Sequence, residues 1–183
     1  YSVDQVDLDL FERVMDINFY GVLYGSHYFI PHLLKQPEAV LVNVSSVFGL
    51  TGIGRSAAYC ASKFAVYGLN QSLWNEYPDS NLTIHSVHPG GINTNITQNS
   101  IDYHTVTDKT GHDAFQKQYL KLTPAYAASV IINGIKKGKK KILIGAEAHQ
   151  LDYATRFFPL FANSFINKKL KQEMEALGVK PRT

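Results

Sequence analysis

Cysteine is nearly missing. Cys60 is the single one among 183 residues, so no internal disulfide can form, and a reducing, cytoplasmic setting is the default expectation. Strong charge is missing too: 18 Lys and Arg against 15 Asp and Glu leave a net charge of +3. That is too mild for a nucleic-acid-binding surface. The basic run Lys136, Lys137, Lys139, Lys140 and Lys141 falls at a helix end, where cations suit the helix dipole. No apolar run approaches the roughly 20 residues of a membrane span, and the greasiest stretch, Phe157 to Ile166, is broken by Pro159. Membrane association is therefore not expected, and the acidic opening YSVDQVDLDL carries no signal-peptide pattern. Metal-ligand spacing is lacking: His27 and His32 lie five apart, and His85 and His88 three apart, with no third partner. A G-x-S-x-G elbow around Ser46 is lacking as well, which disfavours a hydrolase. Cys60 is expected to pack rather than attack.

What is present suits one globular domain over 1–183, with 45% hydrophobic and 18% charged residues. Asp9 and Glu12 start a helical pattern running from Leu10 to about Leu34. Val40 to Val44 reads as a strand buried on both faces. Ser56 caps a helix from about Ala57 to Tyr77, and Leu82 to Val87 is a second strand. A polar loop region from Pro89 to about Leu122 follows. Thr123 and Pro124 form an N-cap and first helical position, and that helix stops at Gly138. Lys141 to Ile144 is a third strand. Helices are expected from Glu147 to about Ala162 and from Asn163 to about Leu177. The alternation implies an α/β fold with parallel strands and right-handed crossovers. Three strands are few for a doubly wound sheet, and the opening helix suggests the second half of a larger fold.

The stretch SSVFGLTGIGRSAAYCASK, Ser45 to Lys63, offers two chemistries. Its glycines, Gly49, Gly52 and Gly54, follow a strand and precede a helix, as a phosphate cradle would. Their spacing is G-x-x-G-x-G rather than G-x-G-x-x-G, and no acidic residue closes a second strand about 20 residues on. Loop flexibility is the better reading. The other chemistry is an acid–base relay. Tyr59 and Lys63 are four apart and share a helix face. Ser46 sits at the carboxyl end of a strand, where open α/β sheets bind ligands. A free tyrosine, with a pKa of about 10, is a poor base at neutral pH. A neighbouring ammonium lowers that value, so the phenol could exchange a proton with a carbonyl or alcohol oxygen held by the serine.

Two further features fit. Asn18 lies in the first long helix, on a face with Val14, Gly21, Val22 and Gly25 that reads as buried. A buried amide needs partners; it could serve a proton path or brace a bend in the helix. His88-Pro89-Gly90-Gly91-Ile92-Asn93-Thr94 follows the second strand. Proline ends the ladder, glycines let backbone approach a flat ligand, and Thr94 can bond an amide such as nicotinamide's.

DINFYG around Asn18, VNVSS ending at Ser46, YCASK from Tyr59 to Lys63, and HPGGINT from His88 to Thr94 together resemble the short-chain dehydrogenases/reductases, from the first residues to at least Gly145. The resemblance implies a Rossmann-like doubly wound parallel sheet whose N-terminal βα units are missing here. It implies Asn18, Ser46, Tyr59 and Lys63 as catalytic residues. Tyr59 would be the acid/base and Ser46 would hold the substrate oxygen. Lys63 would hold the nicotinamide ribose, and Asn18 would support a water leading to Lys63. Pro89, Gly90, Ile92 and Thr94 would line the nicotinamide side, with Tyr59 and Lys63 also touching the cofactor. NAD or NADP is implied, with the selecting residues in the missing part. The implied activity is hydride transfer between that cofactor and a small-molecule carbonyl or alcohol. The 183-residue chain alone is expected to be inactive, and a non-catalytic or regulatory relative is the alternative.

Substrate choice in the resembled family lies in the loop from Asn95 to Leu122, which includes Tyr103, His104, Phe115 and Tyr119. Tyr153, Phe157, Phe158, Phe161 and Phe165 add an aromatic set expected mainly to pack. An apolar or lipid-like carbonyl compound is the expected substrate class. The helices around Tyr20 to Phe29 and Ala61 to Trp74 pair across a dimer axis in that family, so a homodimer or tetramer is expected.

Overall fold

The computed structural model describes residues 2–96, 98–99 and 116–176. Helix α1, Leu8–Met15, is capped by Asp7, whose carboxylate accepts from the Asp9 N–H (3.0 Å). The helix thus starts before the Asp9–Glu12 pair the sequence suggested, because Asp7 already supplies the oxygen an N-terminus needs. One turn of π-helix, Asp16–Tyr20, then joins α1 to α2, Gly21–Leu33. The Gly21 N–H reaches back five residues to the Asp16 carbonyl, a one-residue widening typical of functional positions in helices. The side of α2 that enters the core carries Ser26 and Ile30. Val14, Val22 and Gly25 are only half-buried and Gly21 is exposed, contrary to the buried face expected. Gly25 sits about 100° and Gly21 about 140° around the helix from Ser26.

Strands β1 (Ala39–Val44), β2 (Leu82–Pro89) and β3 (Lys141–Ile144) form a parallel sheet in that order. Ala39 is level with Leu82, Val44 with Val87, and Ser86 with Lys141. The sheet is covered on both faces. Ile30, Ala39, Leu73, Leu82 and Ile84 form one core cluster, beneath α2 and α3 (Ala57–Glu76). Val87, Ala127, Ile142 and Ile144 form the other, beneath α4 (Pro124–Lys136). With the strands in the order β1-β2-β3, connections of one hand would leave α3 and α4 on the same face; lying on opposite faces, they make the two crossovers opposite in hand, so the right-handed crossovers expected do not both form. β1 is not the doubly buried strand expected: Val40 is 39% and Val44 46% exposed. Both lie on the α4 face, and α4 packs on β2 and β3 without covering β1.

The remaining helices follow their sequence signals closely. Thr123 caps α4, accepting from the Tyr126 N–H (3.2 Å), with Pro124 behind it. Gly138, at φ +61°, turns the chain out. Lys141 pairs with Asp152 of α5, Ala146–Phe157. Helix α6 spans Pro159–Ala176. The α5–α6 break falls at Phe158, not near Ala162. Proline lacks the N–H a helix interior needs and pushes its predecessor out of the helical region; Phe158 sits at φ −136°, ψ 59°. Among the described residues no helix is long and apolar enough to cross a membrane, and no group of three or more His, Cys, Asp or Glu could hold a metal ion.

Candidate active site

Ser46 is the residue after next beyond β1. Its hydroxyl accepts from the Phe48 N–H (3.1 Å) and so caps a short 3-10 turn, Val47–Gly49. That turn presses directly on α3: the Ser45 hydroxyl donates to the Lys63 carbonyl (2.8 Å). A Cβ on Gly49 would stand 2.3 Å from Ser45 Oγ and 2.6 Å from the Lys63 carbonyl oxygen. Gly49 therefore serves the contact between turn and helix, not loop flexibility or a phosphate. Gly49→Ala is expected to destabilise the protein by about 1–3 kcal/mol, the scale of overpacking a tight site. The midpoint of urea unfolding reads it.

Beyond the turn the loop is held by α6. Asn167 accepts from the Gly54 N–H (3.0 Å) and donates to the Gly52 carbonyl (3.2 Å), while Thr51 donates to Asn163 Oδ1 (3.5 Å). Helix α3 then begins. Ser56 occupies its N-cap position without a side-chain capping bond, so the expected cap is absent. Tyr59 falls in the first turn, and one turn later comes Lys63.

The three expected relay residues meet. The Ser46 side chain lies close enough to the Tyr59 phenol to favour its ionised form. Lys63 Nζ donates to the Val44 carbonyl (3.2 Å) and lies 5.8 Å from the Tyr59 ring centroid. The Phe48 ring stands edge-on to Tyr59, 6.4 Å between centroids. Burial pushes the Tyr59 phenol above its usual value; the Ser46 side chain pulls the other way, and neighbouring Cys60 adds to the rise. Burial also lowers the Lys63 ammonium. Desolvation therefore outweighs the acidifying influence of the amine that the sequence suggested: both groups are biased toward their neutral forms. Cys60 is buried, and burial raises its thiol, which suits packing and not nucleophilic attack.

Asn18, set within the π turn, donates to the Ser62 hydroxyl (3.3 Å), and that hydroxyl donates to the Tyr59 carbonyl (2.7 Å). It reaches the backbone that carries the relay, beside Lys63, from the point where the helix departs from regular α geometry.

Pro89 ends β2 at the same edge of the sheet. The two glycines after it serve the chain's own packing. A Cβ on Gly90 would be 3.0 Å from the Ile144 carbonyl oxygen and 2.8 Å from the Glu147 carboxylate; one on Gly91 would be 1.7 Å from the Tyr119 carbonyl oxygen. Ile92 bridges to Leu122 and packs on the second core cluster, while Thr94 is exposed. Tyr103, His104 and Phe115, expected to face substrate, lie outside the described residues.

One residue of this site escaped sequence reasoning. His88 is fully buried, with Nδ1 3.0 Å from the Ser46 carbonyl oxygen and Nε2 2.9 Å from Ser86 Oγ. Its position immediately before Pro89, in a strand that had to be buried, was the available signal. Burial lowers its pKa to about 4, partly offset by the Ser46 carbonyl; Lys141 lowers it a little further and Asp152 raises it. The folded-state value is depressed below the ordinary 6.5, so this stabilisation is complete above pH 6.5 and is lost as pH falls through 4. The difference corresponds to about 3 kcal/mol. His88→Asn, which cannot titrate, should flatten that part of the acid limb in chemical denaturation between pH 7 and pH 4.

A family model described as short chain dehydrogenase matches residues 2–104, more than half of the chain. The chain belongs to the short chain dehydrogenase family. Among its relatives, this short chain dehydrogenase is 33% identical to SadH of Mycobacterium tuberculosis over 157 residues, 85% of this chain and 57% of SadH. Its fold resembles that of a short chain dehydrogenase from Burkholderia cenocepacia, solved in complex with NADP. The TM-score is 0.71 at 18% identity, over 88% of this chain and 61% of that one. A Burkholderia phymatum short chain dehydrogenase/reductase, solved with NAD, gives a TM-score of 0.69 at 23% identity, over 84% and 58%. At those identities the likeness is one of fold. The chain spans less than two thirds of the length of each.

Proposed function

We propose that the protein is an NAD(P)-dependent oxidoreductase in which Tyr59 exchanges a proton with the oxygen of a carbonyl or alcohol substrate. The observation that carries this reading is the convergence of the Ser46 and Tyr59 side chains at the carboxyl end of β1, with the Lys63 amine 5.8 Å from the tyrosine ring. Membership of an oxidoreductase family supports it. So do the NADP and NAD of the two structurally similar proteins.

The donor set suits the cofactor. An ammonium carries three N–H donors, and one of Lys63's goes to Val44; ribose hydroxyls are fitting acceptors for the others. Tyr59, Pro89, Gly90, Ile92 and Thr94 complete the proposed nicotinamide side. When bound, the nicotinamide supplies or accepts the hydride. The chain's own residues handle the oxygen. Ser46 donates to it and fixes its place, and the Tyr59 phenol gives it a proton in reduction or takes one in oxidation. Asn18 steadies the α3 backbone through Ser62 and supports a water path to Lys63. The substrate is a small carbonyl or alcohol compound, with an apolar body the favoured class. Exposed Tyr20 at the end of the π turn, Tyr24, Tyr28 and Phe29 on α2, and Phe64 on α3 support a homodimer or tetramer.

The test is direct. The complete protein, given NADH or NADPH and a panel of aldehydes and ketones, should oxidise the cofactor at 340 nm with at least one of them. A panel-wide absence of turnover, with cofactor binding shown by fluorescence, would favour the non-catalytic alternative.

A further inference from the structure

The strand pairing stops abruptly at the site. The last ladder bond is from the Ser45 N–H to the Val87 carbonyl (2.8 Å). The next donor along β2 would be the backbone nitrogen of Pro89, which has no hydrogen. The Ser45 carbonyl is the acceptor that bond would have reached, and beyond it the backbone leaves the sheet; the Gly49 N–H holds the Ser46 carbonyl within the 3-10 turn (3.0 Å), but ties it to nothing in the sheet. The imidazole before that proline supplies a link from β2 one residue further on: His88 Nδ1 lies 3.0 Å from the Ser46 carbonyl oxygen.

We infer that His88 is a positioning residue for Ser46, tying the turn that carries it to β2 one residue beyond the last ladder position. The inference rests on the oxidoreductase reading above.

The proton positions follow from the partners. A carbonyl only accepts, so Nδ1 carries the hydrogen. Nε2 then accepts from the Ser86 hydroxyl (2.9 Å). That tautomer is fixed from behind. Asn70 donates to Ser86 Oγ (3.3 Å) and to the Val66 carbonyl (2.9 Å), and its own oxygen accepts from Asn43 (3.1 Å), which also donates to Ser26 (3.2 Å). Ser26, Asn43, Asn70, Ser86 and His88 are all buried. A fully satisfied buried network of this kind holds one arrangement, because every alternative leaves a polar group unpaired. It runs from α2 beneath the sheet to the serine. The Tyr67 ring closes one side of the imidazole edge-on, 4.7 Å between centroids, and Lys141, paired with Asp152, lies 5.6 Å from the Tyr67 ring centroid. Those are the charged and titratable groups facing it. The neutral imidazole is the form that serves this role, in keeping with its depressed pKa.

Two variants separate positioning from bulk packing. Asparagine places an amide N–H where Nδ1 stands; glutamine places one nearer to Nε2. In the complete protein, His88→Gln should lower kcat by about 10- to 100-fold with KM changed less than about threefold, the pattern of an interaction used in the transition state. His88→Asn should restore kcat to within about fivefold of the parent. Independently of turnover, nitrogen-15 spectra should show the His88 ring protonated on Nδ1 at pH 7. Equal losses in both variants that track a loss of melting temperature would overturn the inference, leaving a purely structural histidine. So would an unchanged kcat in His88→Gln, or protonation on Nε2. If Tyr59→Phe keeps full activity, the oxidoreductase mechanism fails instead, while the tautomer still decides what His88 holds.

Discussion

Tyr59→Phe should abolish most turnover while leaving the fold intact. The change removes one oxygen from the first turn of α3. The ring remains against Phe48, and the backbone carbonyl of residue 59 still accepts from Ser62. What disappears is the proton carried to and from the substrate oxygen. Positioned acid–base groups contribute about 10²–10⁴ in rate, so kcat should fall by that factor, equivalent to about 3–5 kcal/mol of barrier. Cofactor affinity should change little. The Ser46 hydroxyl also loses the phenol beside it, and Ser46→Ala should show less than the summed loss when combined with Tyr59→Phe. Strictly additive losses would mean that the two hydroxyls do not act on one oxygen. Steady-state kinetics of the two single variants and the double variant, with melting temperatures beside them, provide the check.

Lys63→Met should produce the second large loss, on the order of 10²-fold in kcat, with a change in pH dependence that identifies its cause. Burial raises the Tyr59 phenol and lowers the Lys63 ammonium. Oxidation of an alcohol needs the phenolate, so its rate rises with pH; reduction of a carbonyl needs the phenol, so its rate falls with pH at the alkaline end. A cation beside the ring favours the phenolate. Removing it leaves burial unopposed, and both profiles should move to higher pH. Methionine keeps the aliphatic stem against the site and so confines the change to charge and ribose contact. KM for the cofactor should rise as well. A profile that stays in place while only that KM rises would mean that the amine binds the cofactor and leaves the tyrosine untouched.

Much of this site is local in sequence, and that decides what could be read there. Tyr59 and Lys63 share a face because four residues make about one helical turn. Ser46 lies at a strand end, and the fold's rule about strand carboxyl ends then brings it to the tyrosine. Thr123-Pro124 and Gly138 were legible for the same reason, since caps are written in adjacent residues. Contacts across the chain were hidden. Gly49 read as loop flexibility and Gly91 as an opening for a flat ligand, but each meets a backbone carbonyl from a segment at least 14 residues away. The exposure of Val40 and Val44 depends on where α4 stops, which no run of valines encodes. Burial was also underestimated in its effect on charge. An i, i+4 amine promises a more acidic phenol, yet both groups sit deep enough for desolvation to dominate. His88 was visible as the start of HPGGINT, but its bond to the Ser46 carbonyl, 42 residues away in sequence, was not.

The two asparagines of α6 have a consequence for the order in which the molecule assembles. Their hydrogen bonds to the segment between Ser46 and Tyr59 span more than a hundred residues of chain. Ribosomes release a protein from its N-terminus, at about 5–20 residues per second. Strand β1, the 3-10 turn and α3 can therefore form several seconds before residues 163 and 167 emerge. Until then the loop over the relay lacks its outer brace, and a nascent chain would carry all the chemical groups of the site before it could hold them still.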